Sequence, residues 1–421
     1  MKKLIIILLI FLFPLEARSE IKRITSLEAV NIALENNLEL QAKKKDVEIK
    51  YQEIKMANAL KNPQFQSNFL MGKVTRGNSS QFGGSLPIEL FKRKPRKEAE
   101  IAKLRIIEEE ISTFEHQIKI NVLKAYFNVL YAKSILKISQ EREKIFKIIE
   151  DISKQKTKSI SYEADVLQSS IKHNRQLVFI NRAQAKVQIA QLAFNDAFNL
   201  KDDEIMYDTI EDSLFDDNVE ILDISLPDYP LIEKIALKYS HNLKIADLNT
   251  ELSKKDLKIQ ERKIIPDVSI GGGTAYQTAH QSKTEAFPGA YVGVYVDIPL
   301  LYQYQPEINR AKKQIEKSKI NKESYESHLK YALKEDYNKY KYAKINMDHY
   351  QQILKDSDKV LDIYTKKYKQ GQATLLNVVQ IENAHKETIV DYLFAMENFY
   401  SAYLDLMFNI GHDILLDDDA L

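Results

Sequence analysis

Hydrophobic positions along residues 98–153 recur every three or four residues. Leu104, Ile107, Ile111, Phe114, Ile118, Val122, Ala125, Val129, Ala132 and Leu136 step by 3, 4, 3, 4, 4, 3, 4, 3 and 4. That is a heptad seam with one irregularity, which locally unwinds a left-handed supercoil. The pattern predicts one helix from Glu98 to about Ser153, roughly 80 Å at about 1.5 Å per residue. A simple coiled-coil rod would satisfy the helices alone. Elsewhere the period drops to two. In "AYVGVYVDI", Val292, Val294, Val296 and Ile298 share one face while Tyr291, Gly293, Tyr295 and Asp297 share the other. In "DVSIGGGTAYQT", Val268, Ile270 and Tyr276 oppose Ser269, Gly271 and Gln277. Segments of about ten residues, apolar on one side and polar on the other, have the form of transmembrane barrel strands, and a soluble sandwich gives the same alternation. Small barrels need about eight strands, so four per chain would close only between protomers.

The chain repeats itself. "SLEAVNIALENNLEL" (26–40) returns as "PLIEKIALKYSHNLKI" (230–245), each an amphipathic helix with an Ala-Leu step and then Asn-Leu. Each leads to a charged helix that stops at a proline, Pro63 or Pro266, and then to alternating segments. The second segments, "QFGGSLPIELF" (81–91) and "AYVGVYVDIPLL" (290–301), contain Pro87 and Pro299, 212 residues apart. A very long helix follows in each half. The predicted organisation is a first repeat over 20–220, with strands at about 64–73 and 80–90, and a second over 221–421, with strands at about 267–278 and 289–299. The acidic stretch 201–228 between them reads as a solvated linker.

Within "YKQGQATLLNVVQIENA" (368–384), Gly371 suits the left-handed position that ends a helix, and Thr374 suits the first cap of the next. The local expectation is a helical hairpin tip. Its partner in the other repeat, "KSISYEADVLQSS" (158–170), pairs Ser161 with Ala373, Asp165 with Asn377 and Gln168 with Gln380.

Composition narrows the setting. Residues 1–19 have a basic start at Lys2 and Lys3, an apolar run from Leu4 to Phe13 and an Ala17-x-Ser19 site, the three parts of a secretory signal. The run is too short to span a bilayer as a helix. With no cysteine there is neither a disulfide nor a thiol for lipid attachment. Lys and Arg total 61 against 60 Asp and Glu, so no net field favours nucleic acid. Charged residues make up 29% of the chain and no long apolar run follows the signal, so any membrane crossing falls to strands. The eight histidines include no pair four apart on a helix, as a helical zinc site requires, and Gly271–Gly273 lack the Lys-Ser/Thr of a phosphate loop. No catalytic constellation appears and no cofactor is implied.

The opening "LEAVNIALENN", the two proline-ended strand pairs and "YKQGQATLLNVVQIENA…Y…A…L…G", ending at Gly411, resemble the TolC-type outer-membrane efflux proteins. "PIELFKRKPRKEAEIAKLR" and "DIPLLYQYQPEINRAKKQ" look like the strand-to-helix junctions of the cation-efflux branch, and the run Lys92–Lys97 equally reads as a solvated segment. The resemblance implies a mostly α fold with a small β part. A homotrimer would join a twelve-stranded outer-membrane β-barrel, four strands per protomer, to a coiled-coil α-barrel reaching across the periplasm. It further implies outer-membrane lipid around the strands, a periplasmic adaptor and an inner-membrane transporter of RND type. The function implied is passive conduction in a tripartite efflux pump. The exit duct of a type I secretion system, a periplasmic coiled-coil adaptor and a substrate-specific porin are the alternatives. The tips would form the periplasmic gate, with Tyr368 bonding Asp165, and with Asn377 and Gln380 standing where relatives place carboxylate rings.

Overall fold

The computed structural model describes residues 20–70, 79–155, 160–201, 205–215, 226–277 and 287–411. The predicted signal segment, residues 1–19, lies outside the described residues. The element order is β1 (Glu20–Ile24), α1 (Ser26–Asn36), α2 (Leu38–Ala57), β2 (Gln64–Leu70), β3 (Ser79–Ile88), α3 (Arg93–Gln155), α4 (Ile160–Phe198) and β4 (Ile205–Thr209). It continues with α5 (Tyr229–Tyr239), α6 (His241–Arg262), β5 (Asp267–Gln277), β6 (Phe287–Asp297), α7 (Gln305–Lys369) and α8 (Leu375–Ile410). Two short helices, two strands, a very long helix and a shorter one therefore occur twice in order.

Local chemistry sets the boundaries. Thr25 and Glu28 form a reciprocal capping box at α1. Pro95 and Pro306 fall in the first turns of α3 and α7, where a missing N–H costs nothing. The proline lets α3 begin at Arg93, five residues before the predicted helix start at Glu98. The joints repeat as well. Asn199 (φ 47°) ends α4 and Gly411 (φ 73°) ends α8, both left-handed and 212 residues apart. Each docks against the break between a pair of short helices. Leu38 N–H donates to the Asn199 carbonyl at 3.0 Å. A Cβ at Gly411 would lie 3.2 Å from both Ser240 Cα and the Tyr239 carbonyl, tight enough to favour glycine.

The chain forms two compact units that cut across the repeats. One gathers residues 1–40, 117–226 and 336–406. Its core holds Tyr126, Phe194 and Phe198, with centroids of 5.6 Å for Tyr126–Phe194 and 4.8 Å for Phe194–Phe198. Val122, Val129 and Leu130 of α3, and Leu393, Phe399 and Leu406 of α8, are fully buried in this unit. The other unit holds residues 41–116, 227–335 and 407–421, with Ile232, Ala236 and Leu333 fully buried and the four-stranded sheet attached.

The acidic stretch after α4 departs from the solvated linker expected of it. Residues 205–209 form β4, which pairs in parallel with β1 in register Glu20↔Ile205 to Ile24↔Thr209. Asp208, Thr209, Ser213 and Leu214 are buried. Burial is tolerable because the carboxylates find partners. Lys133 reaches Asp208 at 2.9 Å and Asp212 at 3.6 Å, and Arg23 reaches Asp212 at 3.3 Å. The Tyr126 hydroxyl donates to Glu211, and burial first, then that carboxylate, pushes its pKa up. The five-residue strand, set in an acidic stretch, gives no sequence signal, because its partner β1 lies at the far end of the repeat and Lys133, the cation for Asp208, lies on α3 about 75 residues away.

Candidate channel wall and helix tips

The sheet is antiparallel, in order β2-β3-β5-β6. Register puts Phe65↔Gly84, Phe82↔Thr274, Leu86↔Ile270 and Ile270↔Val294 opposite one another. Directly paired residues share a face and alternate residues oppose. One face therefore carries Phe65, Phe69, Phe82, Leu86, Ile270, Tyr276, Val292, Val294 and Val296, and these side chains are exposed. The opposite face carries Gln64, Gln66, Asn68, Gln81, Ser85, Ser269, Tyr291 and Asp297. An apolar face left in the open departs from the usual arrangement of a soluble sheet, which buries that face. Among the described residues, the outer strands β2 and β6 each pair on one side only.

On the polar face, Gly83, Gly273 and Tyr291 stand side by side across three strands. A Cβ on Gly83 would collide with the Tyr291 hydroxyl and sit 2.9 Å from the Gly272 carbonyl. The glycine therefore gives the tyrosine ring a bed, and the ring lies flat along the wall.

Where strands become helices, charge holds the joint. Arg96 of α3 donates to both Glu89 carboxylate oxygens, at 3.1 and 2.8 Å, and from Nε to the Ala57 carbonyl at 3.0 Å. Lys92 reaches Asp267, the first residue of β5, at 2.8 Å, and Lys61 lies 3.4 Å from Glu89. The Lys92–Lys97 run is thus only partly the solvated segment that sequence reading allows: Arg93 and Lys94 are exposed, while Lys92 and Arg96 tie strands to helices. Fork geometry suits arginine to this task.

The tip after α7 has the residues its sequence predicts. Gly371 takes φ 72°. Gln372 N–H donates to the Lys367 carbonyl at 2.8 Å and Gly371 N–H to the Tyr368 carbonyl at 3.0 Å, the two bonds of a Schellman ending. Thr374 then caps α8. Asn377 N–H donates to Thr374 Oγ1 at 3.2 Å, and the Thr374 N–H donates back to Asn377 Oδ1 at 3.1 Å. Asn377 thus fills the role that Glu fills in the usual capping box. Tyr368 is 43% exposed, and Gln380 and Gln168 are exposed. Ser161 and Asp165 lie on α4, and their side chains fall outside the described residues.

Two histidines escaped sequence reasoning because nothing local marks them. His173 of α4 sits between Glu150, 2.6 Å from Nδ1, and Glu143, 2.9 Å from Nε2. The bond to Glu143 leads in holding its pKa above the usual histidine range. His385 of α8 is buried, with Ser357 Oγ 3.1 Å from Nδ1 and Asp358 3.3 Å from Nε2. Desolvation dominates there and lowers its pKa.

Comparison with known proteins follows the same lines. Residues 233–412 match the family described as outer membrane efflux protein. No curated protein matches the chain. Among solved structures, the open state of the Neisseria gonorrhoeae MtrE outer membrane channel aligns with TM-score 0.72 at 14% identity, over 92% of this chain and 88% of that one. The Campylobacter jejuni CmeC outer membrane channel aligns with TM-score 0.70 at 14% identity, over 92% and 85%. CusC, whose structures are described in terms of folding and transmembrane channel formation, aligns with TM-score 0.69 at 16% identity, over 92% of both chains. The fold is that of a TolC-like outer-membrane channel. Residues 233–412 thus resemble the outer membrane efflux proteins, and the whole described chain shares the fold of solved outer-membrane channels.

Proposed function

We propose that three copies of this chain form the outer-membrane conduit of a tripartite efflux pump, receiving cargo from an inner-membrane transporter of RND type through a periplasmic adaptor. The observation that carries the reading is the sheet: two open edges, one apolar exposed face and one polar face. In a bilayer every backbone N–H and C=O needs a partner, so an open four-stranded sheet cannot stand alone there. Three such sheets joined edge to edge make twelve strands, enough to enclose a water-filled lumen behind the polar face. Conduction is passive, with energy supplied by the transporter.

At the periplasmic end, the tips form the gate. Tyr368 donates to Asp165 and latches one hairpin to the other in each protomer. Asn377 is committed to capping α8 and Gln380 is uncharged, so the constriction lacks a carboxylate ring at these positions. Purified protein in planar bilayers should give discrete conductance steps. A protein that inserts but never conducts, including with the tips loosened by Tyr368→Phe, would defeat the reading.

A further inference from the structure

The two strand-to-helix junctions share a feature that the channel role leaves unused. β3 is followed by Leu90 and Phe91, and β6 by Leu300, Leu301 and Tyr302. All five side chains are exposed, Phe91 at 69%, Leu300 at 76% and Leu301 at 103%. In each junction an aromatic residue takes a left-handed backbone, Phe91 at φ 60° and Tyr304 at φ 55°. Bulky side chains rarely adopt that conformation. Its occurrence in both repeats points to a shape the fold maintains.

Register places both junctions at one end of the sheet. Ile88, the last residue of β3, pairs with Val268 near the start of β5, which pairs with Val296 near the end of β6. The junctions are thus two strand spacings apart, roughly 10 Å. They continue the exposed apolar face past the last strand residues toward the helices. Beside Phe91 stand Arg93 and Lys94, both exposed, and the only carboxylate that reaches Lys94 among the described ion pairs is Glu98, at 4.0 Å. Lys92 and Arg96 are spent on Asp267 and Glu89, which fixes the backbone that presents the exposed pair.

We infer that the two junctions form a membrane foot. Leu90, Phe91, Leu300 and Leu301 enter the helix-side leaflet of the outer membrane at headgroup depth, and Arg93 and Lys94 bind anionic phospholipid headgroups. Continuity with the lipid face supplies the apolar half of the argument. The basic pair supplies the other half, because cations beside buried apolar anchors select negative headgroups. A water-exposed leucine pair at the edge of a lipid-facing sheet has no comparable partner in solvent.

This foot rests on the sheet being in the membrane, and the test separates the two. The chain has no tryptophan, so single Phe91→Trp, Leu301→Trp and Val292→Trp variants of the full protein each carry one fluorophore. Each is reconstituted in phosphatidylcholine and phosphatidylglycerol mixtures in which one lipid carries bromines high on its acyl chains. Quenching at all three positions, with acrylamide excluded, is the expected result. At Phe91→Trp, brominated phosphatidylglycerol should quench with about fivefold higher apparent affinity than brominated phosphatidylcholine at low salt, the scale of one basic residue at an anionic surface. Adding Arg93→Ser and Lys94→Ser should erase that preference, and exchanging them as Arg93→Lys and Lys94→Arg should retain it. Quenching at Val292→Trp but at neither junction would overturn the foot alone. Absence of quenching at all three would overturn the membrane placement of the sheet. Equal preference with and without the basic pair would overturn headgroup recognition, and lipid retained by the wild-type protein, read by native mass spectrometry, checks that outcome if the serine variant fails to assemble.

Discussion

His173 and His385 occupy equivalent positions of the two repeats, 212 residues apart, yet their surroundings push their protonation in opposite directions. His173 lies between Glu143 and Glu150, and Lys154 bonds the latter at 2.8 Å. His385 faces Ser357 and Asp358, with Lys386 and Glu382 acting from its own helix.

A raised folded pKa means that the His173 contribution is complete below about pH 6.5 and is lost as pH rises through the higher folded value. A depressed folded pKa means that the His385 contribution is complete above about pH 6.5 and is lost as pH falls through the lower folded value. Hydrogen exchange, corrected for intrinsic rates, should show protection near residue 173 falling on the alkaline side and protection near 385 falling on the acid side. His173→Gln should flatten the first response only and His385→Gln the second only. Parallel responses in both helices would refute the assignment.

The Arg96 clamp should be hard to replace. Arg96→Ala removes two charge-assisted bonds to Glu89 and one to the Ala57 carbonyl, leaving a carboxylate that is 9% exposed. A loss of about 2–3 kcal/mol is expected, on the scale of bonds to charged groups. Arg96→Lys should recover less than half, because one ammonium cannot span the three acceptors. Thermal unfolding of the detergent-solubilised protein, followed by circular dichroism, measures both.

Gly83→Ala puts a methyl group where the Tyr291 ring lies. The ring must lift from the polar face, so conductance should fall while the oligomer stays intact. Adding Tyr291→Ala should restore it, since the two changes share one contact. Identical conductance in Gly83→Ala and wild type would mean that the ring does not limit the lumen.

For the proposed gate, Tyr368→Phe keeps the ring and removes the hydroxyl. A charge-assisted bond is worth about 1.5–3 kcal/mol, near the low end at a wet tip, so three of the proposed latches opening together would hold the entrance shut by roughly 4–5 kcal/mol. Conductance should rise, and Asp165→Ala should add little on top. If conductance is unchanged with the oligomer intact, the gate is held elsewhere.

Most of the fold was legible because long-period patterns carry it. The heptad seam from Leu104 to Leu136 lies within α3, and the alternation of Val292, Val294 and Val296 lies on one face of β6. Gly371 and Thr374 announced the tip because left-handed and capping positions have strong residue preferences. What stayed hidden depends on distant partners. β4 needs β1 and Lys133 to be stable, the Arg96 clamp draws on α2, β3 and α3, and the histidine environments are set by neighbouring helices. Asn377 was legible as a tip residue but not as a cap, because the usual capping-box partner at that position is Glu or Gln.

The central claim, that sheets from three chains close one barrel, is tested most directly at the open edges. The chain has no cysteine, so paired cysteines can be placed on β2 and β6, for example Ser67→Cys with Ala290→Cys, both on the apolar face. Within one chain these strands are three spacings apart, about 14 Å, beyond the reach of a disulfide. Oxidation in outer membranes, scanned over neighbouring residues of the same face to find the register, should yield covalent dimers and trimers and nothing larger, with neither single variant cross-linking. Monomers at every register, or ladders extending beyond three chains, would contradict a closed trimeric barrel.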